Sequence, residues 1–288
     1  MKKTISGLLL IFFSVFANAQ NGLENIIVEK YYISDSADAA APKGGHLPAG
    51  SVTYRIYADL LPGYRFQAAY GVAGHELRIA TSTSFFNNEE FGATTANDIP
   101  WQQLNNNTVM LDSWLSVGAG SAGNYGILKV EDDTARTVVN TDIPQVLQNA
   151  NPLAGIPLKD RDGLKAASPQ SVVSIFGIEN EIRIFGNKND RANGKAFSTT
   201  NGSWASFGGA IGPNPNNKVL IAQLTTDGAL SFELNIQLGA SDGAVENYVA
   251  KNPVGNEIQL SCLTYPMPVE KVSSNNNKKV VKNSKLKN

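Results

Sequence analysis

The stretch Lys218–Gly239, KVLIAQLTTDGALSFELNIQLG, constrains the fold of this chain more than any other. Its second half alternates without a break. Leu230, Phe232, Leu234, Ile236 and Leu238 point one way, and Ser231, Glu233, Asn235 and Gln237 the other. That is the period of a strand with one face buried and one wet. Asp227-Gly228 just before it reads as a hairpin turn. A two-residue loop would set Leu230 and Phe232 opposite Thr225 and Gln223. A three-residue loop, Thr226-Asp227-Gly228, sets them opposite Leu224 and Ala222, with Leu220 opposite Leu234. Buried faces fix register, so the pattern predicts the longer loop, with Gly228 left-handed at a bulge.

The rest of the chain follows the same period. Asn25–Ile33 reads as a first strand and Ser34–Gly50 as a loop. Ser51–Leu61 sets Val52, Tyr54, Ile56, Ala58 and Leu60 against Thr53, Arg55, Tyr57 and Asp59. Tyr64–Val72 and His75–Ser84 alternate in turn after Pro62-Gly63 and Gly74, which suggests a meander or a sandwich sheet. Further strands are expected at Thr108–Gly118, Tyr125–Val130, Ser171–Ile178, Glu181–Phe185 and Glu257–Tyr265. Phe85–Asn107 and Glu131–Gly163 are long polar connections, the second with room for a short helix at Ile143–Gln148 capped by Asp142. Asp112-Ser113-Trp114 and Gly202-Ser203-Trp204 each precede a glycine-rich bend, and both tryptophans read as anchors beside strand corners. The expected fold is an all-β, two-sheet antiparallel β-sandwich, jelly-roll-like, with long connecting loops.

The ends of the chain differ from its middle. Lys2-Lys3, the apolar run Leu8–Phe16 and Ala17-Asn18-Ala19 form a secretory signal peptide over residues 1–19, with cleavage before Gln20. The run is shorter than the roughly 20 residues a bilayer span needs. The expected organisation is a single β-sandwich domain over residues 20–268 and a disordered Lys/Asn-rich tail over 269–288. Residues 270–288 hold six Lys and one Glu, a charge of +5, while residues 20–269 hold 16 Lys plus Arg against 24 Asp plus Glu, or −8. An acidic body argues against nucleic acid as a partner. Cys262 is the only cysteine, so no intrachain disulfide forms and the fold rests on its apolar core. The expected location is exported: secreted, at the cell surface or periplasmic, and not membrane-spanning.

GLENIIVEKYY, SVTYRIYADLLPGYRFQAAYG, MLDSWLSVG, NGSWASFGGAIGP, KVLIAQLTTDGALSFELNIQ and NPVGNEI together resemble an uncharacterised family of secreted bacterial β domains. These are common in Bacteroidetes-type genomes and are often joined to a C-terminal sorting domain of the type IX secretion system. The resemblance runs from about Gly22 to Tyr265 and implies an exported β domain. It supplies no activity and no site residues. After Tyr265 this chain has its short Lys/Asn tail, with no recognisable sorting domain.

Groups with catalytic chemistry are sparse. His46 and His75 are the only histidines, no zinc spacing or G-x-S-x-G elbow accompanies them, and His75 reads as an exposed strand-edge residue. Carboxylates are plentiful. Glu89 and Glu90 are candidate ligand-binding residues in the first long loop, and Glu131, Asp132 and Asp133 are candidate oxygen ligands for calcium, the one cofactor the sequence suggests. Trp101 is either a sugar-stacking aromatic or the plug of a small satellite core. Ser36 and Thr134 fall in the Asp-Ser/Thr-small pattern of O-glycosylation acceptors in Bacteroidetes-type exported proteins. Two functions fit: a non-catalytic exported module for adhesion, matrix or glycan binding, whose partners are extracellular polysaccharide or cell-surface components, or a polysaccharide-active enzyme using a carboxylate pair. Oligomeric state is not legible.

Overall fold

The computed structural model describes residues 21–42, 44–106, 108–132, 163–166, 171–192 and 194–266. The signal peptide expected at residues 1–19, Gln20, the helix expected at Ile143–Gln148, Asp133, Thr134 and the Lys/Asn tail lie outside these residues. Seventeen strands run through the described chain: β1 (Leu23–Ile33), β2 (Val52–Leu60), β3 (Arg65–Gly71), β4 (Leu77–Thr81), β5 (Trp114–Leu115), β6 (Ala119–Ser121), β7 (Asn124–Gly126), β8 (Leu164–Ala166), β9 (Ser174–Phe176), β10 (Ala196–Thr199), β11 (Gly202–Ala210), β12 (Lys218–Thr226), β13 (Leu230–Glu233), β14 (Asn235–Gly239), β15 (Val245–Val249), β16 (Ile258–Gln259) and β17 (Thr264–Tyr265). Strand accounts for 44% and helix for 12%, so the fold is all-β and sandwich-like.

The strands form a middle sheet β1-β2-β12-β5, an outer sheet β16-β15-β14-β3-β11-β9, an end sheet β10-β4-β13-β17 and a small sheet β6-β7-β8. Pairing within them is antiparallel except at β15–β16. One face of the middle sheet (Ile26, Ile56, Ala58, Leu60, Val219, Ile221, Leu224) packs on the inward face of the outer sheet (Phe66, Ala69, Trp204, Ile236, Leu238, Tyr248). Leu77, Ile79, Phe197, Leu230 and Phe232 of the end sheet close the same core. The other face of the middle sheet is covered too. Tyr31, Tyr57 and Leu220 join Ile99, Leu104, Met110 and Trp114 in a second core beneath the connection that follows β4.

That second cover changes what alternation means in β2 and β12. Arg55 and Gln223, on the face expected to be wet, are 1% and 0% exposed. The Arg55 guanidinium donates to Gln223 Oε1 and to the Gly163 carbonyl, each at 2.8 Å, and stacks 3.6 Å over the Tyr31 ring. Burial disfavours this cation, but Tyr31, Tyr57 and Glu29 more than offset it and hold its pKa above the ordinary arginine value.

The expected hairpin between β12 and β13 does not form. β12 pairs with β2 and β5, while β13 pairs with β4 and β17. Pairing with β4 sets Phe232 opposite Ile79, burying it as well as the hairpin would have. The turn is instead clamped to the segment after β4: Thr226 Oγ1 meets Thr81 Oγ1 at 2.7 Å and donates to the Ser84 carbonyl at 2.9 Å, and Thr83 Oγ1 donates to Asp227 at 2.6 Å. Gly228 is not among the glycines with positive φ. Glycine is needed there because a Cβ would stand 2.4–2.7 Å from the hydroxyl oxygens of Thr81, Ser82 and Thr83.

The alternating run itself divides at Leu234, between the end sheet and the outer sheet. Its apolar members are all buried as expected, but so is Asn235, expected on the wet face. The Asn235 side-chain N–H groups donate to the carbonyls of Tyr70, His75 and Glu76 at 3.1–3.3 Å, pinning the β3–β4 corner. β2, β3 and β4 therefore form no meander; each joins a different sheet. Glu181–Phe185 is a 3-10 turn instead of a strand, with Ile182, Ile184 and Phe185 buried. Thr108–Gly118 is a 3-10 turn at Val109–Leu111 followed by the two-residue β5. Trp114 and Trp204 are both buried anchors, and the Trp204 indole donates to the Ser116 carbonyl at 3.2 Å. Cys262 sits half-buried in a 3-10 turn, where burial pushes its thiol pKa up.

Candidate functional site

Register fixes what the outer sheet shows to its surroundings. Paired residues share a face. Trp204, Ala69 and Ile236 face the core, so their chain neighbours face outward. One outward row runs Phe176 (β9), Ser203 (β11), Tyr70 (β3); the next runs Ser174 (β9), Ala205 (β11), Ala68 (β3), Gln237 (β14), Asn247 (β15). Small side chains in the middle, with aromatics on one side and amides on the other, make a trough. Its deeper part is a hollow of about 330 Å³ lined by Ala68, Tyr70, Val72, Ser203, Gln237, Asn247 and Glu257.

The walls are fixed by their own bonds. Gln237 Nε2 donates to Asn247 Oδ1 at 3.0 Å, which leaves Gln237 Oε1 and the Asn247 N–H groups outside that bond. Glu257 is held by His75 Nε2 at 2.9 Å and by the Val254 N–H at 2.7 Å. His75 is thus 5% exposed and tied to the trough, contrary to the exposed edge position expected of it; the β3–β4 corner turns it onto Glu257. Burial, and then the Glu257 charge, push the Tyr70 hydroxyl up to about 12. At the β9 end β11 bulges between Ala205 and Ala210. Gly208 and Gly209 there have φ of +79° and +76°, which only glycine adopts freely. The bulge holds Phe207 81% exposed, edge-on to Phe176 with ring centroids 5.7 Å apart.

The residues singled out from the sequence are scattered. Trp101 is 46% exposed and opens the 3-10 turn Trp101–Asn105, whose Leu104 belongs to the second core. It is therefore no plug, and it lies across the middle sheet from the trough. Glu89 lines a separate hollow of about 260 Å³ with His46, Asn87, Arg191 and Asp227, while Glu90 is exposed beside it. The loop carrying both is shaped by Asp112, whose carboxylate accepts from the N–H groups of Asn88 (2.7 Å) and Ala93 (2.9 Å). Asp112 is fully buried, and burial pushes its pKa well up against the pull of those donors.

Glu131 and Asp132 line a third hollow, of about 450 Å³, with Lys165, Asn214 and Asn216. Glu131 is already engaged by Lys218 at 3.0 Å and by Asn216 at 2.6 Å, and Asp132 accepts from the Gly163 N–H at 2.7 Å. Among the described residues no three His, Cys, Asp or Glu side chains gather into a metal-binding group. Ser36 is exposed but opens a one-turn helix, α1 (Ser36–Ala39), instead of lying in a loop; Asp35 caps it. Among the described residues no helix is long and apolar enough to cross a membrane.

In comparisons with protein-family models, with curated proteins and with solved structures, nothing matches this chain.

Proposed function

We propose that this chain is an exported, non-catalytic module that binds a glycan in the trough of its outer sheet. The observation that carries the reading is the composition of the two outward rows. Phe176 and Tyr70 place aromatic rings in the outward rows, Ser203, Ala205 and Ala68 are the small residues beside them, and Gln237 and Asn247 offer donors and acceptors to hydroxyl groups. The signal peptide and the family resemblance support export. Glycoside cleavage in its usual form uses two carboxyl groups. The trough has Glu257 alone among its lining residues, and His75 holds it.

The alternative is a polysaccharide-active enzyme, for which Glu131 and Asp132 in the third hollow are the nearest thing to a carboxylate pair. Purified exported protein separates the two readings. Its intact mass should begin at Gln20. On a glycan array it should retain a polysaccharide, and Tyr70→Ala or Phe176→Ala should weaken retention at least about tenfold, as losing a stacked ring does. Trp101→Ala should leave retention unchanged. Product release from a defined polysaccharide, lost in Glu131→Gln or Asp132→Asn, would establish the enzyme instead.

A further inference from the structure

Resting on the glycan reading, we infer that the trough selects an uncharged glycan lying across the strands, and that Glu257 rejects chains bearing carboxylate or sulfate groups. The direction follows from the rows. The aromatic and amide positions are spread over β9, β11, β3, β14 and β15, four inter-strand steps or about 19 Å, so a chain touching both ends crosses the strands. The selectivity follows from charge. Among the lining residues Glu257 is the one charged side chain. It cannot swing aside, because His75 Nε2 and the Val254 N–H hold the same carboxylate oxygen.

A sugar ring stacked on Tyr70 sits next to that carboxylate, which already resists a second negative charge on the Tyr70 hydroxyl. A uronate or sulfate there would meet like charge with no cation among the lining residues to answer it. The body's charge of −8 adds repulsion at longer range. The amide pair offers both donors and acceptors outside its own bond, which suits hydroxyl groups and not a run of acceptor-only anions.

Affinity electrophoresis of the exported protein tests this with soluble neutral polysaccharides, each run beside its carboxymethylated derivative. Retention by a neutral polymer should be at least about tenfold stronger than by its carboxymethylated form at low salt, and the gap should shrink as salt screens the repulsion. Glu257→Gln should narrow the gap, read as the ratio of neutral to carboxymethylated retention within that variant. If that variant is unstable, Glu257→Ala read by the same ratio takes its place, and the salt series on the unaltered protein still decides the selectivity. Retention by no neutral polymer would overturn the glycan reading and this inference together. Equal retention of both forms at all salt concentrations, or stronger retention of the anionic form, would overturn the selectivity alone. A gap that persists undiminished in folded Glu257→Gln would overturn the role of Glu257.

Discussion

Phe232, Glu233 and Asn235 stand within four residues and answer to three different rules. Phe232 is 3% exposed between β4 and β17, and Phe232→Ala should cost about 3–5 kcal/mol. Glu233 makes a partly exposed ion pair with Lys251 at 2.9 Å, and Glu233→Ala should cost under about 1 kcal/mol. Asn235→Ala should cost about 2–3 kcal/mol, because buried carbonyls at the β3–β4 corner lose their donor. Urea denaturation of the three variants checks the order, and equal costs at 233 and 235 would refute the pinning role. Gly228→Ala should lose about 1–3 kcal/mol by crowding three hydroxyls. Tyr70 adds a pH signature. Its folded pKa is raised from 10 to about 12, so its contribution to stability is complete below pH 10 and is lost as pH rises through 12. A phenolate absorbance step near pH 12 that disappears in Tyr70→Phe is the expected result. The core residues of this stretch were legible in its alternation. Asn235 was not, because period alone cannot tell a polar residue in water from one that caps carbonyls of a distant corner.

At the scale of elements, the informative strand is β2. Its alternation correctly separates two faces, but both faces are covered. Arg55→Ala should cost about 3–5 kcal/mol in denaturant titration, since it strips a buried partner from Gln223 and from the Gly163 carbonyl. Arg55→Lys should recover little, because an ammonium cannot reproduce the stacked planar fork. The sequence places Arg55 and Gln223 among residues that look solvent-facing; their burial depends on the connection after β4 folding back over the sheet, which is a non-local event. The failure of the Asp227-Gly228 hairpin has the same origin. A local turn signal competes with a distant strand that offers an equally apolar partner, here Ile79 to Phe232. Glu181–Phe185 shows the limit of period itself, because five residues with alternating isoleucines fit a short strand and a 3-10 turn alike.

For the whole molecule, the two cores share the middle sheet. Ile56 and Tyr57, neighbours in β2, belong to different cores, as do Leu220 and Ile221 in β12. Neither core can be lost without exposing the other, so thermal unfolding should be one transition. Tryptophan fluorescence and far-UV circular dichroism of the unaltered protein, whose Trp114 lies in the second core and Trp204 in the main core, should report the same midpoint. Distinct midpoints would show two cooperative units. The trough was invisible in the sequence for a related reason. Its members come from five strands whose order around the sheet no local pattern states, and Ala68, Ser203 and Gln237 are ordinary residues until register sets them side by side.

The crossing at Leu234 bears on how this chain can change over evolutionary time. The run from Leu230 to Leu238 keeps one phase while its two halves belong to different sheets. A single inserted or deleted residue near the crossing would turn one half inside out relative to the other, sending either Phe232 or Ile236 to the outside and the neighbouring polar side chains inward. Two added residues would keep the phase. Descendant sequences should therefore exchange side chains here within their apolar or polar class, Asn235 excepted because it caps three carbonyls, while differing in length by even numbers or not at all.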